Sequence, residues 1–464
     1  MRKLLHLLSA AVVIALSVTS CTPVDNPVSP VTPPEPVVKA DTARHTIIMY
    51  GVVGGASDPQ IETAWEIMKP YLNDRKNVRC VVCFKYAKPE HFAGKYAKPG
   101  DLVLFELTDT TDLMKIGENY AMKWSDLALY EESTLTSIID LASTVAPARE
   151  YTFLTYGHGG GFDKNVDYEK DQRKAQPNSN RAVLYDEWIE TPAGPEAMNM
   201  YEFLRGINNS KVPHFKSIFF HNCLMGGVES VFDISLFCDY LVVSSHLLAM
   251  NPAPIRQFIK ATTEQKDLKT AYLQMLSSLS PEWDKGYQGY GFNGDLKLID
   301  CQKLLDVIDP AAKLTNRLKE IYPTQSEMLD TAMVHTYQYY NEKNFYDLED
   351  YAAQVAKYTG DSQLKTISAQ LSEALGKAIL GRAEMHFSTL GDLPKFTLSV
   401  VLSSNKDYQA KTAWDYTFKE AYEYTNWHIF TGFGDWLNTT RQGPRDQSEG
   451  YQGQPVGQCF SQRP

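Results

Sequence analysis

The chain has 464 residues, a formal net charge of −11 at pH 7 and 12% aromatic residues. An acidic chain lacks the basic surface that binds nucleic acid or an anionic membrane, so neither is expected as its main partner. The length exceeds what one small hydrophobic core needs, which predicts a large α/β domain together with a second unit.

The first twenty residues have the pattern of a bacterial signal peptide. Arg2 and Lys3 precede an apolar run, residues 4–18, that is too short to cross a bilayer core of about 30 Å as a helix. The run ends in Val-Thr-Ser-Cys at Cys21, which resembles the lipobox of bacterial lipoproteins. We therefore predict cleavage of residues 1–20 and lipidation of Cys21. The alternative is a plain secretory signal in which Cys21 has no role.

Residues 21–44 are predicted to form a tether between that lipid and the folded body. Six prolines fall between Pro23 and Pro36 with few large apolar residues, and such a segment cannot bury enough surface to fold. The chain is thus predicted to be attached to the cell envelope, at the inner or the outer membrane, facing either the periplasm or the cell surface. The remainder is divided into a core at 45–255 and a helix-rich C-terminal region at 256–464 that packs on the core.

From residue 45 onward, short apolar runs typical of strands alternate with helical patterns. Strands are predicted at 45–51, 78–85, 101–108 (at a sheet edge), 151–156, 216–220 and 239–245. Helices are predicted at 58–72, at 133–145 with Ser133 or Thr134 as N-cap, at 198–207 and at 228–237. This alternation predicts an α/β fold with a mostly parallel twisted sheet and helices on both faces.

Two later regions depart from that rhythm. Residues 159–195 are polar and are predicted to be either a functional lid or a disordered excursion. Beyond residue 250 the pattern becomes helix-rich, with helices predicted at 315–321, 347–357 and 364–385 and a late strand at 396–402.

The spacing of Cys80 and Cys83 matches the CxxC of metal and redox sites, but both lie in an apolar run that is predicted to be a strand. Residues three apart on a strand point to opposite faces, so the pair cannot share a metal or a bond. We interpret both as core residues and expect neither a metal nor a cofactor. The even number of cysteines after Cys21 permits disulfides without defining a pairing.

Two predicted strands are followed by residue types that serve in nucleophilic catalysis. One is followed by Gly-His-Gly-Gly-Gly, containing His158 and Gly159, and the other by His-Asn-Cys, ending at Cys223. Carboxyl ends of neighbouring parallel strands meet at one edge of a sheet, which predicts His158 beside Cys223. An imidazole or a helix N-terminus favours a thiolate, and Cys223 is predicted to open a helix. The amides of Gly159 and Cys223 are the predicted oxyanion donors.

Each of these motifs has a structural interpretation when taken alone. A cysteine after a strand is often a small buried hydrophobe, and a His-Gly pair is often a turn. Their occurrence at the ends of two core strands favours the catalytic interpretation. The His-Gly-Gly-Gly run is also typical of lipase-type α/β-hydrolases, but the sequence lacks the G-x-S-x-G elbow that those enzymes need.

The segments around His158 and Cys223 resemble the clostripain family of cysteine peptidases, in the clan of caspases and gingipains. The most specific piece is Cys-Leu-Met-Gly-Gly-Val-Glu, which begins at Cys223, and the similarity extends over roughly 45–440, including Asp-Leu-Lys-Leu-Ile-Asp at 295–300. The resemblance implies a caspase-like sheet, a dyad of His158 and Cys223 with no obligatory third member, and a peptide or protein substrate.

One departure from the family concerns specificity. Family members often carry Asp two residues before the cysteine, where it helps to bind Arg or Lys, and this chain has His221 there. The loop 245–251 contains no acid either. We therefore predict an apolar or small polar P1 residue, with an acidic P1 as second choice when His221 is protonated. The residues predicted to line the pocket are His221, Leu247, Leu248 and Met250.

Three alternatives stay open at this point. An acid of the 163–195 loop, such as Asp186 or Glu187, would restore basic specificity if it reached the pocket. The chain would be a catalytically inactive binding module of the envelope if the changes around Cys223 abolish turnover. A different thiol or ester hydrolase is the third.

Overall fold

The structure is a computed structural model that describes residues 42–53, 58–86, 100–113, 122–125, 127–161, 184–191, 194–248, 251–279, 294–340, 345–385, 397–402, 422 and 425–441. The described residues from Ala43 onward form one compact unit. The predicted signal peptide, Cys21, nearly all of the tether and Met250 lie outside the described residues. The division at residue 255 stays a prediction.

Strands occur throughout the described part of the chain. In chain order they are β1 Ala43–Val53, β2 Val78–Tyr86, β3 Asp101–Leu107, β4 Met122–Ser125, β5 Ala148–Tyr156, β6 Leu184–Thr191, β7 Gly194–Met198, β8 Phe215–His221, β9 Cys238–Val243, β10 Gly294–Asp300, β11 Gln338–Tyr340, β12 Phe345–Asp347, β13 Ile379–Met385 and β14 Ser399–Val401.

Helices follow most of the central strands and dominate the second half. In chain order they are α1 Asp58–Met68, α2 Glu132–Val145, α3 Met200–Asn208, α4 Val228–Ile234, α5 Ala253–Glu264, α6 Leu268–Ser278, α7 Cys301–Leu304, α8 Ile308–Val334, α9 Leu348–Thr359, α10 Ser362–Ala378, α11 Asn426–Thr431 and α12 Phe433–Arg441.

The largest sheet in the described part has nine strands in the order β13-β10-β9-β8-β5-β1-β2-β3-β4. The five central strands, from β9 to β2, are parallel to one another. Antiparallel strands continue the sheet at both ends, β10 and β13 on one side and β3 and β4 on the other. The mostly parallel α/β fold predicted from the sequence is therefore confirmed.

Both faces of this sheet are covered, as the alternation along β1 illustrates. Ile48 and Tyr50 pack into the core that includes α2, α3 and α4, whereas Ile47 and Met49 pack into the core that includes α1, α5 and α6. Since side chains of a strand alternate between faces, a strand buried on both sides must be apolar throughout. This explains why the central strands appear in the sequence as mostly apolar runs.

Cys80 and Cys83 follow the same alternation on β2. Both thiols are buried and free, and they pack into different cores on the two faces of the sheet. Burial raises the pKa of each thiol, because an apolar surrounding disfavours the charged thiolate. Their interpretation as core residues is confirmed.

Some local predictions are wrong. The helix predicted at 364–385 ends at Ala378, and the following residues form β13, which pairs with β10 at the edge of the large sheet. Unpaired backbone groups of β10 are satisfied by that pairing, which outweighs the helical pattern. Strand β3 is not the edge, because β4 lies beyond it. Helix α2 begins after Glu131 and has no side-chain cap.

The polar region 159–195 contains ordered structure toward its end. Strands β6 and β7 pair antiparallel as a two-stranded sheet. Residues 162–183 lie outside the described residues. Among the helices that the structure describes, none has the length and apolar character needed to cross a membrane.

Candidate active site

His158 and Cys223 follow neighbouring strands at the same edge of the sheet. Strands β5 and β8 pair in parallel, and their last residues, Tyr156 and His221, are register partners. His158 and Cys223 each lie two residues beyond that pair. His158 is exposed and Cys223 is partly exposed. The prediction that the two strands are neighbours is confirmed.

The backbone after β5 packs directly on the backbone of Cys223. A Cβ placed on Gly159 would lie 2.7 Å from the Cys223 carbonyl oxygen and 3.2 Å from the Cys223 nitrogen. It would also lie 2.7 Å from the Cβ of Asn222. Only a glycine permits this approach, which accounts for Gly159 without any demand on its φ angle. The two motifs identified in the sequence are therefore in contact through Gly159.

Asn222 fastens the two segments together. Its Nδ2 donates to the carbonyl oxygens of Gly157 at 3.0 Å and of His158 at 3.1 Å. Its Oδ1 accepts a hydrogen bond from the hydroxyl of Thr155. A buried amide that makes all three bonds is expensive to replace, because any loss leaves a buried polar group unpaired. Asn222 was not predicted as a site residue, since nothing local distinguishes it from any asparagine after a strand.

Cys223 does not open a helix, contrary to the sequence prediction. It lies in a turn, and α4 begins only at Val228 after the N-cap Gly227. Leu224 has a φ of 61°, the left-handed region, which costs a non-glycine residue about 1–3 kcal/mol. Because this turn separates Cys223 from the first residue of α4, the positive end of the helix dipole does not lie at the sulfur.

The segment 244–248, which follows β9, runs beside the turn of the cysteine. The amide of Leu224 donates to the carbonyl of His246 at 3.0 Å, and the amide of Gly226 donates to the carbonyl of Ser244 at 2.7 Å. A side chain at Gly226 would collide with the hydroxyl of Ser245. The close approach of the two segments explains the glycine at position 226.

Leu248 supplies a hydrogen bond to the sulfur. Its backbone nitrogen lies 3.2 Å from Cys223 Sγ, and its carbonyl oxygen lies 3.6 Å from the same atom. An amide that donates to sulfur favours the thiolate, and this contact is shorter than the one in which the thiol donates to the carbonyl oxygen, which favours the thiol. The side chain of Leu248 is buried in the core on the α5 face, whereas Leu247 is partly exposed and packs toward the other core. Leu248 therefore meets the site through its backbone.

His221 is fully buried. Its ring stacks on Tyr156 with 5.3 Å between centroids, and its Nε2 lies 3.0 Å from the carbonyl of Asn251. Burial lowers the pKa of His221 to about 4, so the ring is neutral at physiological pH. A ring with no accessible surface does not contact a substrate directly. It holds the backbone of Asn251, at the end of the predicted pocket loop.

Two carboxyl groups on α4 accept hydrogen bonds from residues between positions 401 and 426. Glu229 Oε1 accepts from the amide of Val401 at 2.9 Å and from the hydroxyl of Tyr422 at 3.0 Å. Asp233 Oδ1 accepts from the amide of Asn426 at 2.8 Å. Burial raises the pKa of each carboxyl group to about 7. The helix that follows the cysteine turn is therefore held against the segments that contain Val401, Tyr422 and Asn426.

The described residues contain no group of three or more His, Cys, Asp or Glu side chains that could hold a metal ion. The site does contain a thiol and an imidazole beyond the carboxyl ends of adjacent parallel strands, with Gly159 packed on the backbone of the cysteine. This is the arrangement of a thiol hydrolase on an α/β sheet.

Comparison with known proteins agrees with that description. A family model described as the clostripain family matches residues 109–436. The chain therefore belongs to the clostripain family of cysteine peptidases. No curated protein is detectably similar to the chain in sequence.

Solved structures with the same fold are distant in sequence. A secreted C11 cysteine protease from Bacteroides thetaiotaomicron, iotapain, has a TM-score of 0.57 and 16% identity, covering 84% of this chain and 99% of its own. A secreted C11 protease of that organism in complex with an irreversible peptide inhibitor gives a TM-score of 0.58 and 15% identity over 85% and 99%. An inactive zymogen C11 protease from Parabacteroides distasonis has a TM-score of 0.56 and 15% identity, covering 85% of this chain and 99% of its own.

Proposed function

We propose that the chain hydrolyses peptide bonds with Cys223 as nucleophile and His158 as general base and acid. The thiolate of Cys223 attacks the carbonyl carbon, and the carbonyl oxygen becomes an oxyanion that faces the amide of Gly159. His158 then donates its proton to the leaving amine, and water hydrolyses the thioester. The packing of Gly159 on the backbone of Cys223 is the observation that carries the proposal.

The thiolate is favoured by backbone contact rather than by a helix. Because α4 begins at Val228, the turn separates the N-terminus of that short helix from the sulfur of Cys223. The amide of Leu248, 3.2 Å from Cys223 Sγ, is the nearer donor. The amide of Cys223 itself is kept as the second oxyanion donor, beside that of Gly159.

Two substitutions test the dyad. Cys223→Ala removes the nucleophile with little change in volume and should abolish hydrolysis of any peptide that the parent cleaves. His158→Ala should lower kcat/KM by roughly 10²–10⁴-fold, because the general base is lost. Cys301→Ala, a buried cysteine on α7, and His214→Ala, an exposed histidine paired with Asp239, are the matched controls and should keep full activity.

Labelling with a thiol-reactive peptidyl probe separates the peptidase from the inactive binding module. A peptidase is labelled at Cys223, and the rate depends on His158. Near-parental turnover in either dyad variant would reject the assignment. Absence of His158-dependent labelling in the parent protein would instead favour the binding module.

The proposed P1 residue is apolar or small and polar. A cation that enters a partly desolvated pocket without a carboxylate costs several kcal/mol. Among the candidate pocket side chains that the structure describes, none is charged: the ring of His221, at the end of β8, is buried and neutral, and Leu247 offers apolar surface. Met250 remains proposed as a lining residue. The acidic P1 that the sequence suggested as second choice is withdrawn, because the pKa of His221 is lowered by burial to about 4.

Profiling of a peptide library at about pH 7.5 tests the specificity. Dominant cleavage after Arg or Lys would contradict the proposal. Loss of that cleavage on mutation of Asp186 or Glu187 would then identify an acid supplied by the β6 hairpin.

The proposed location is the cell envelope, with a lipid on Cys21 and residues 21–44 as the tether. The support is the sequence of the first 44 residues, with its basic start, apolar run and Val-Thr-Ser-Cys end. A tethered catalytic body at 45–255, with the region 256–464 packed on it, would act on substrates within reach of the membrane.

A further inference from the structure

The backbone amide that donates a hydrogen bond to Cys223 Sγ belongs to the segment 244–248, which is itself held by a buried carboxylate. Leu248 is the last described residue of the segment 244–248, and its amide lies 3.2 Å from Cys223 Sγ. Residues 244–248 are not part of a helix or strand, so no regular hydrogen-bond pattern fixes them. Their position must come from tertiary contacts.

Asp295 on β10 supplies most of those contacts. Its Oδ1 accepts from the amides of Ser245 at 3.0 Å and His246 at 3.1 Å. The same oxygen accepts from the hydroxyl of Ser244 at 2.8 Å and lies 2.9 Å from Nδ1 of His246. Asp295 is fully buried. One carboxylate oxygen therefore holds three consecutive residues of the segment.

A buried cation keeps this carboxyl group ionised. Burial alone would raise the pKa of Asp295, but the ammonium group of Lys297 and the contact with His246 outweigh it and hold the pKa well below its usual value. Lys297 pairs with Asp295 Oδ2 and also donates to the hydroxyl of Ser245 at 3.0 Å. The far side of the His246 ring is held by the hydroxyl of Tyr337 at 2.9 Å. Both ends of the turn at 244–246 are thereby fixed.

We propose that Asp295 is a positioning residue for the nucleophile, because it holds the segment 244–248 in the place from which the amide of Leu248 donates to Cys223 Sγ. This inference rests on the proposed role of Cys223 as nucleophile. Asp295 touches neither the sulfur nor a substrate, and its effect passes through the backbone of the segment. A charge-assisted anchor suits this task, since hydrogen bonds to a carboxylate are roughly twice as strong as those to a neutral group.

The readout is the pH dependence of alkylation at Cys223, which needs no peptide substrate. Among the described residues, the titratable side chains on the segments that contact Cys223 are His158, His221 and His246. Burial lowers the pKa of His221 to about 4, so this ring stays neutral over the range assayed. Asp295 stays ionised over the same range. The alkylation profile therefore reports the thiol together with His158 and His246, and a His158→Ala background removes the first of these two rings.

The test uses the full chain and iodoacetamide, with the modified Cys223 peptide quantified by mass spectrometry from pH 5 to 10. Asp295→Asn is combined with Lys297→Met so that no single charge is left buried. We expect the alkylation midpoint to rise by about one pH unit, the equivalent of a weakened hydrogen bond to a charged group. Ser244→Ala, which removes one donor to Asp295 and changes little volume, should raise it by roughly a few tenths of a unit.

A matched control pair lies on β2 and β3, on the other side of the large sheet from β9 and β10. Arg79, near the start of β2, is bound through two nitrogens to Glu106 on β3 at 2.8 and 2.7 Å. Arg79→Met with Glu106→Gln should lower stability without moving the alkylation midpoint. An unchanged midpoint in both folded site variants would overturn the inference. Turnover by Cys223→Ala would reject the proposed function instead, so the two failures are distinguishable.

Discussion

Substitution of Gly159 by alanine is a direct test of the contact between the two motifs. The new Cβ would lie 2.7 Å from the Cβ of Asn222 and from the carbonyl oxygen of Cys223. Non-bonded carbon atoms prefer about 3.5–4.0 Å, so the two segments must separate by roughly 0.8 Å. Gly159 has no left-handed φ, and alanine keeps the amide. The whole effect is therefore steric.

A displacement on the order of 1 Å at a reacting group costs about 10²-fold in rate. We expect kcat/KM of Gly159→Ala to fall by about that factor, with a loss of roughly 1–3 kcal/mol in the free energy of unfolding from overpacking. Hydrolysis of a fluorogenic peptide and urea unfolding measure the two quantities separately.

The control is Gly376→Ala on α10. No atom lies within 4 Å of a Cβ at that position, so the change should leave activity intact and stabilise the protein by about 0.5–1 kcal/mol through helix propensity. Gly159→Ala with parental kcat/KM would refute the claim that the glycine backbone sets the spacing between His158 and Cys223.

Other substitutions test separate parts of the structure. Asn222→Asp replaces the amide nitrogen that donates to two carbonyls with an oxygen that repels them. The value of kcat/KM should fall by about 10-fold or more, and the free energy of unfolding by roughly 1–3 kcal/mol, in the same two assays. Unchanged values would contradict the bridging role of Asn222. Glu229→Gln addresses pH dependence. Because burial raises the pKa of Glu229 from 4.5 to about 7, the folded state retains a proton that the unfolded state loses, so stability falls as pH rises through that window. Between pH 4.5 and 8 the free energy of unfolding of Glu229→Gln, measured with urea, should fall by up to about 3 kcal/mol less than that of the parent. The same pH dependence in both proteins would refute this reasoning. Cys21→Ser should move the protein from the membrane to the soluble fraction, whereas unchanged partitioning excludes Cys21 as the lipid site.

The sequence determined the sheet and the pairing of the two motifs. The last parts of strands β5 and β8, residues 152–156 and 218–220, are mostly apolar because both of their faces are buried, and such runs are visible without any tertiary knowledge. The residues that follow them stand out because histidine, glycine and cysteine interrupt the apolar pattern. Parallel neighbours bring equivalent ends together, so the sequence predicts His158 and Cys223 at the same end of the sheet when β5 and β8 are neighbours.

The tertiary structure decided how the nucleophile is held. The left-handed Leu224 and the contact of Gly226 with Ser245 delay helix α4, and neither is visible in the local pattern. The same is true of β13, which ends a helical pattern because β10 needs a partner. His221 takes the position where the family resemblance leads us to expect an acid, and its burial keeps the ring neutral.

The anchor of the segment 244–248 shows why such features escape sequence reasoning. Asp295 lies about fifty positions from the residues that it binds, and its role depends on β10 lying antiparallel beside β9. Apolar periodicity encodes which face of an element is buried, because burial is a property of each residue. A hydrogen bond between distant side chains depends on the relative placement of two elements, which only the folded chain supplies.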